Sequence, residues 1–189
     1  MRDPPAPILV VTGPSGAGKS TVSRLVASAY DKSAHVRADD VTFGVIVNGW
    51  VEPWLPESAH QNEVLGGAMT AAAMQFALGG YTVVVDGHMF PDGLEGMAEM
   101  CARRSVPLHY VVLRADLETC LARATSRGMG ERPDPRPFAA LHAKFVDLGA
   151  HEANVIEAIG PPEEVAAAVL AAFRSGRLVE TIRPLSDGG

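Results

Sequence analysis

Short apolar runs alternate along this chain with longer segments in which apolar residues recur every three or four positions. Ile8 to Thr12 is an unbroken apolar run that stops at a glycine. A run without polar alternation reads as a strand buried on both faces. Ser20 to Tyr30 carries Val22, Leu25, Val26 and Ala29 at helical spacing. Ala34 to Ala38 reads as a second strand, ending at Asp39-Asp40. Pro56 to Leu78 predicts a long helix with Val64, Leu65, Met69, Ala72 and Phe76 on its apolar face, stopped by Gly79-Gly80. Thr82 to Val85 is a strongly β-branched third strand that runs into Asp86-Gly87. A helix over Asp92 to Arg104 and a strand over Leu108 to Leu113 follow. Asp116 caps a helix from Leu117 to Ser126. Asn154 to Ala158 is a weak fifth strand, and Pro161-Pro162 opens a last helix, Glu163 to Arg174, with two acids in its first turn. Gly128 to Pro137, dense in Pro, Gly and Arg, reads as a mobile loop, and the segment from Ser175 as a frayed tail.

Strands separated by helices imply a parallel sheet with helices on both faces. The expectation is an α/β, three-layer fold: one domain over residues 1–189, with a five-stranded parallel sheet and a short lid at about 123–137. Ligands of such sheets bind beyond the carboxyl ends of the strands. That rule gathers Gly13, Asp39, Asp86 and Arg114 on one edge.

Composition narrows the function classes. The formal net charge is −6, and the only lysines are Lys19, Lys32 and Lys144. A protein gripping a nucleic-acid backbone carries a basic stripe, so a nucleic-acid partner is not expected. No stretch reaches the ~18 apolar residues of a membrane span. Met1 to Pro7 has no apolar run of leader length, so a cytoplasmic location is the expectation. Cys101 and Cys120 have no metal-ligand spacing and read as small buried hydrophobes. Monomer and homodimer both remain open.

Gly13-Pro14-Ser15-Gly16-Ala17-Gly18-Lys19-Ser20 fits the phosphate-loop pattern G-x-x-x-x-G-K-[ST] in full, between a predicted strand and a predicted helix. Small residues let the backbone curl and turn the N–H groups of Gly13 to Thr21 inward as an anion nest. Lys19 is the residue expected to reach the β- and γ-phosphates of ATP, and the Ser20 hydroxyl to ligate Mg²⁺. The guanine-reading tetrad N-K-x-D of GTPases is absent. So is a third strand ending in D-E; here it reads Val83-Val84-Val85-Asp86-Gly87.

With the loop, the acid pair after strand two, and Val112 to Arg123 followed by Arg127-Gly128, the chain resembles small P-loop kinases of the nucleoside-monophosphate-kinase-like group. Its look is nearest to gluconate kinase, chloramphenicol phosphotransferase and the kinase domain of polynucleotide kinase. The closing segments Asn154 to Ala158 and Glu163 to Val165 are similar as well. The resemblance implies an ATP-dependent transfer to a hydroxyl, with the first acid of the pair, Asp39, as the base. Asp40 is the alternative, or a cap for the next segment.

Phosphoryl transfer needs in-line positioning, charge neutralisation and an acceptor for the hydroxyl proton. Asp86, at the end of strand three, is expected to hold a metal-bound water or an acceptor hydroxyl, with His88 in the same loop. Among the arginines of the lid, Arg127 and Arg123 are the first candidates to stabilise transition-state charge, and Arg132 a further phosphate contact. Phe43, Trp50, Trp54 and His60 fall where an acceptor pocket should lie. The polynucleotide kinases' arginine after the acid pair is replaced here by Thr42. With few basic residues between Phe43 and His60, that favours a neutral or cationic small-molecule acceptor, such as an antibiotic or other natural product. A metabolic sugar or nucleoside-type kinase is the alternative. A nucleotide-binding ATPase or switch is the reading from another class.

Overall fold

Strand β1 (Ile8–Thr12) places every residue out of water, alternating between two cores. Leu9 and Val11 point into one, Ile8 and Val10 into the other. The same alternation in β3 (Thr82–Asp86) and β4 (Leu108–Arg114) explains their continuous apolar sequence. With β2 (Ser33–Arg37) and β5 (Val155–Glu157) they form one wholly parallel sheet in the order β2-β3-β1-β4-β5. The computed structural model describes residues 4–126 and 135–180.

On one face, α1 (Lys19–Ala27) and the last helix supply Val22, Val26, Val165, Val169 and Phe173. On the other, α3 (Ala59–Leu78) and α4 (Glu95–Arg103) supply Met69, Ala73, Met97 and Cys101. A short helix, α2 (Ala38–Thr42), starts directly at the end of β2. α5 (Leu117–Ser126), α6 (Pro135–Ala143) and α7 (Pro162–Arg174) complete the chain order. The chain leaves β1 toward β2 on one side and reaches β4 on the other, so its carboxyl end is the switch point where ligands of such sheets bind. Among the described residues no helix is long and apolar enough to cross a membrane.

The five expected strands are present, each within a residue or two of its predicted ends. Asp116 caps α5 as expected, its carboxylate accepting from the Thr119 amide at 2.7 Å and the Thr119 hydroxyl at 2.8 Å. Four expectations need correction. β2 ends at Arg37, so Asp39 and Asp40 lie in the first turn of α2 rather than at the strand's end. The buried line of α3 is Leu65, Met69, Ala73 and Ala77, while Val64 and Phe76 are exposed. The segment is apolar nearly all round, so periodicity alone does not choose its face. Residues 135–137, assigned to a mobile loop, open α6, where Pro135 fits a first helical turn as well as a loop.

The tail is the fourth correction. Residues 175–180 fold back on the sheet: the Leu178 carbonyl accepts from the Tyr110 amide at 2.9 Å, and the Glu180 amide donates to Leu108. Leu178 is fully buried. Leu178→Ala should therefore lower the unfolding free energy by about 2–5 kcal/mol, read from urea midpoints. An unchanged midpoint would mean that the segment is not docked.

Candidate active site

The loop after β1 curls because Gly13, Gly16 and Gly18 have no side chain, and the first two leave no room for one. Gly13 and Gly16 have φ of 141° and 83°. A Cβ at Gly13 would collide with the Leu113 carbonyl, and one at Gly16 with the Cys120 carbonyl. The loop is thus wedged between the end of β4 and α5. α1 starts at Lys19 with no acid in its first turn, so its positive end is left for an anion.

The Lys19 ammonium donates to the Gly13 and Pro14 carbonyls at 2.9 and 3.0 Å and lies 3.2 Å from His88 Nε2. The same nitrogen of His88 lies 3.1 Å from the Ser15 hydroxyl. His88 therefore closes over the phosphate loop, rather than standing beside the acceptor alone. Its own loop is anchored from below: the Met89 amide donates to Thr12 Oγ1 at 3.0 Å, and Tyr110 Oη donates to the Met89 carbonyl at 3.0 Å. Loss of hydration, and then the Lys19 ammonium, bring the His88 pKa down to about 3, against a small opposing pull from Asp86.

Asp86 is buried, and its Oδ2 lies 3.3 Å from Nε2 of His35, a residue the sequence reading did not single out. Neither atom finds a well-aimed hydrogen-bond partner among the described residues. Burial pushes the Asp86 pKa up, but His35, the Ser20 hydroxyl and Lys19 outweigh it and hold it below the usual carboxylate value. Asp86 is thereby tied electrostatically to Ser20 and Lys19 of the loop. A Cβ at Gly87 would strike that of Ala38, so α2 is drawn against the Asp86–His88 loop and Asp39 stands beside it. Asp40 is held by Arg37 at 3.1 Å, whereas Asp39 is exposed and its side chain has no partner among the described residues.

The other expected residues take several different places. Arg114 is a structural clamp: it pairs with Glu152 at 3.1 Å and Glu157 at 3.2 Å and donates to the Val146 carbonyl. Arg123 donates to the Ala158 carbonyl at 3.0 Å. There it lines a cavity of about 270 Å³ with Ala17, Gly18, Thr21 and Gly160, next to the loop. That position suits a nucleotide base better than a transferring phosphate. Arg127 and Arg132 lie outside the described residues. Phe43 and Trp50 are in ring contact at 5.7 Å, and Trp54 is 74% exposed. His60 is exposed and sits 3.8 Å from Glu63.

Comparisons with known proteins agree with this fold. The family model described as an AAA domain matches residues 9–140. No curated protein matches the chain in sequence. A sugar kinase from a Janibacter species superposes with a TM-score of 0.69 at 18% identity, covering 90% of this chain and 95% of that one. The Mycobacterium tuberculosis APS kinase, in complex with AMPPNP and APS, gives 0.68 at 18% identity, covering 91% and 99%. The Deinococcus radiodurans tunicamycin resistance protein gives 0.64 at 16% identity, covering 94% and 99%. These likenesses establish the P-loop kinase-like fold.

Two outcomes follow from the loop's packing. Gly16→Ala combines a positive φ with a backbone collision. It should cost about 1–3 kcal/mol of stability and weaken titrated ATP binding by at least about tenfold. The second concerns acid. The folded-state pKa of His88 lies below its ordinary 6.5, so its contribution is present above pH 6.5 and is lost as pH falls toward about 3. In urea midpoints across that range, His88→Asn should lose less stability on acidification than the parent protein.

Proposed function

The chain belongs to the AAA-domain family, and from that membership and the geometry at the head of the sheet we propose that it is an ATP-dependent kinase transferring the γ-phosphate to a small-molecule hydroxyl. The observation that carries this reading is the convergence of Lys19, Ser15, His88, Asp86 and the start of α2 on one phosphate loop. A nucleotide-binding switch needs no acid beside the γ-phosphate position; a kinase does.

The loop amides and the N-terminus of α1 hold the β- and γ-phosphates, and Lys19 exchanges its carbonyl partners for phosphate oxygens. The base enters the cavity lined by Arg123 and Gly160. The acceptor hydroxyl oxygen attacks the γ-phosphorus, and the bond to the bridging oxygen of ADP breaks. Asp39 takes the hydroxyl proton, leaving a phosphate monoester and ADP. Asp39 suits this role better than Asp40, whose carboxylate is already committed to Arg37. Arg127 and Arg132 are proposed to fold over the transferring group, with Arg123 acting at the base.

Ser20 and Asp86 fit a magnesium ion. Asp86 is ionised, buried and short of hydrogen bonds beside Ser20. A magnesium ion at such a site takes one or two protein ligands and is completed by phosphates and waters. Magnesium would supply charge neutralisation on the β- and γ-phosphates.

For the acceptor we favour a natural product, in a self-resistance type of role. Support comes from the fold shared with a tunicamycin resistance protein and from the aromatic side chains Phe43, Trp50 and Trp54 beyond Asp39. The likeness to a sugar kinase keeps a metabolic acceptor as the second reading. Mass spectrometry of an acceptor library incubated with ATP and Mg²⁺ should find one compound that gains a phosphate. Asp39→Asn should slow that transfer by at least about a hundredfold while leaving ATP affinity within about twofold. A variant that transfers at the parent rate removes Asp39 as the base. Rapid ATP hydrolysis that no acceptor accelerates removes the kinase reading.

A further inference from the structure

The stretch of chain that builds the proposed acceptor side holds no positive side chain of its own other than histidine; Lys144, from a later segment, lies over the Phe90 ring at 5.2 Å. From Ala38 to Ala102 there are nine acidic residues and no Lys or Arg. That span comprises α2, the segment 43–58, α3, β3, the His88 loop and α4. The basic residues at its borders do not compensate. Arg37 is bound to Asp40, and Arg103 and Arg104 sit at the far end of α4, where the chain turns back to start β4. A carboxylate, sulfate or phosphate on the acceptor would meet Asp39, Glu52 and Glu57 with no counter-charge from this wall.

The same wall presents aromatic surface, and it does so by construction. Gln61 of α3 grips Val51 twice, accepting from its amide at 2.9 Å and donating to its carbonyl at 2.6 Å. Asn62 and Ser58 donate to the Pro53 carbonyl at 2.8 and 2.9 Å, and Ser58 also donates to Leu55. Segment 51–58 is therefore fixed to the start of α3 by polar bonds, not by its rings. Trp54 stays 74% exposed within this fixed frame, and Phe43, 54% exposed, leans on Trp50. Exposed aromatic faces interleaved with carboxylates, on a stretch without Lys or Arg, are the surroundings in which an organic ammonium is held by cation–π attraction and charge.

We propose that the acceptor is an amphipathic cation, an amine-bearing alcohol with an apolar portion, received on the wall of Phe43, Trp50, Trp54 and Glu52 while its hydroxyl faces Asp39. This deepens the kinase reading and depends on it only for the identity of the site.

The chain's two tryptophans both lie in this wall, so their fluorescence reports directly on it. The probes are phenylethanolamine, its N-acetyl form and phenyl-lactate, which share a ring and a hydroxyl but carry charges of opposite sign or none. The amine should quench with a dissociation constant at least about tenfold lower than the N-acetyl form, with phenyl-lactate weakest. Trp54→Ala and Glu52→Gln should each narrow that gap, and added salt should weaken the amine most. Equal quenching by all three probes, tighter binding of phenyl-lactate, or no quenching by the amine overturns the proposal. None of these outcomes bears on phosphotransfer, which stands or falls on the Asp39 experiment.

Discussion

Everything at the head of this sheet depends on how closely a stretch of backbone can approach two carbonyl groups. The phosphate loop lies against Leu113 at the end of β4 and against Cys120 in α5, at separations that leave no room for a Cβ. Only there do its amides turn inward and α1 start with its positive end facing the same point. The loop is thus a packing solution before it is a binding site. Its neighbours are set by the sheet: β3 lies beside β1, so Asp86 is bound to arrive next to the loop, and β2 beside β3 brings α2 within contact of Gly87. Parallel register carries residues far apart in sequence to one edge.

What the sequence disclosed, and what it withheld, follows from the range of each interaction. The phosphate loop is eight consecutive residues, and the Asp116 cap is a contact three residues long; both are written locally. The strands are legible because burial on both faces forces unbroken apolar runs. The His35–Asp86 contact joins two neighbouring strands whose pairing is parallel and separated by α3, and no spacing in a single sequence encodes it. The sequence places His88 in the loop after β3, beside Asp86. Its turn over Lys19 depends on Thr12 and Tyr110 holding Met89 from below, each from a different strand. Arg114 stood on the expected edge, but Glu152 and Glu157 come from a later segment and convert it to a structural tie.

The two halves of the cleft differ in kind. The donor half is made of backbone groups and one lysine, a geometry indifferent to what lies across from it. The proposed acceptor half is made of side chains on α2 and on a segment pinned by Gln61 and Asn62. A change of side chains there would leave the backbone geometry of the donor half in place.

The docked tail has a consequence of another sort. β5 covers only Val112 to Arg114 of β4 and leaves the earlier part of that strand with unpaired hydrogen-bonding groups. Residues 178–180 fill that gap as an antiparallel cover across Leu108 to Tyr110. An open strand edge in an apolar sheet invites pairing with another chain. The short turn of backbone after α7 therefore guards the molecule against aggregation, and shortening the chain to Arg174 would uncover an adhesive edge far from the site of chemistry.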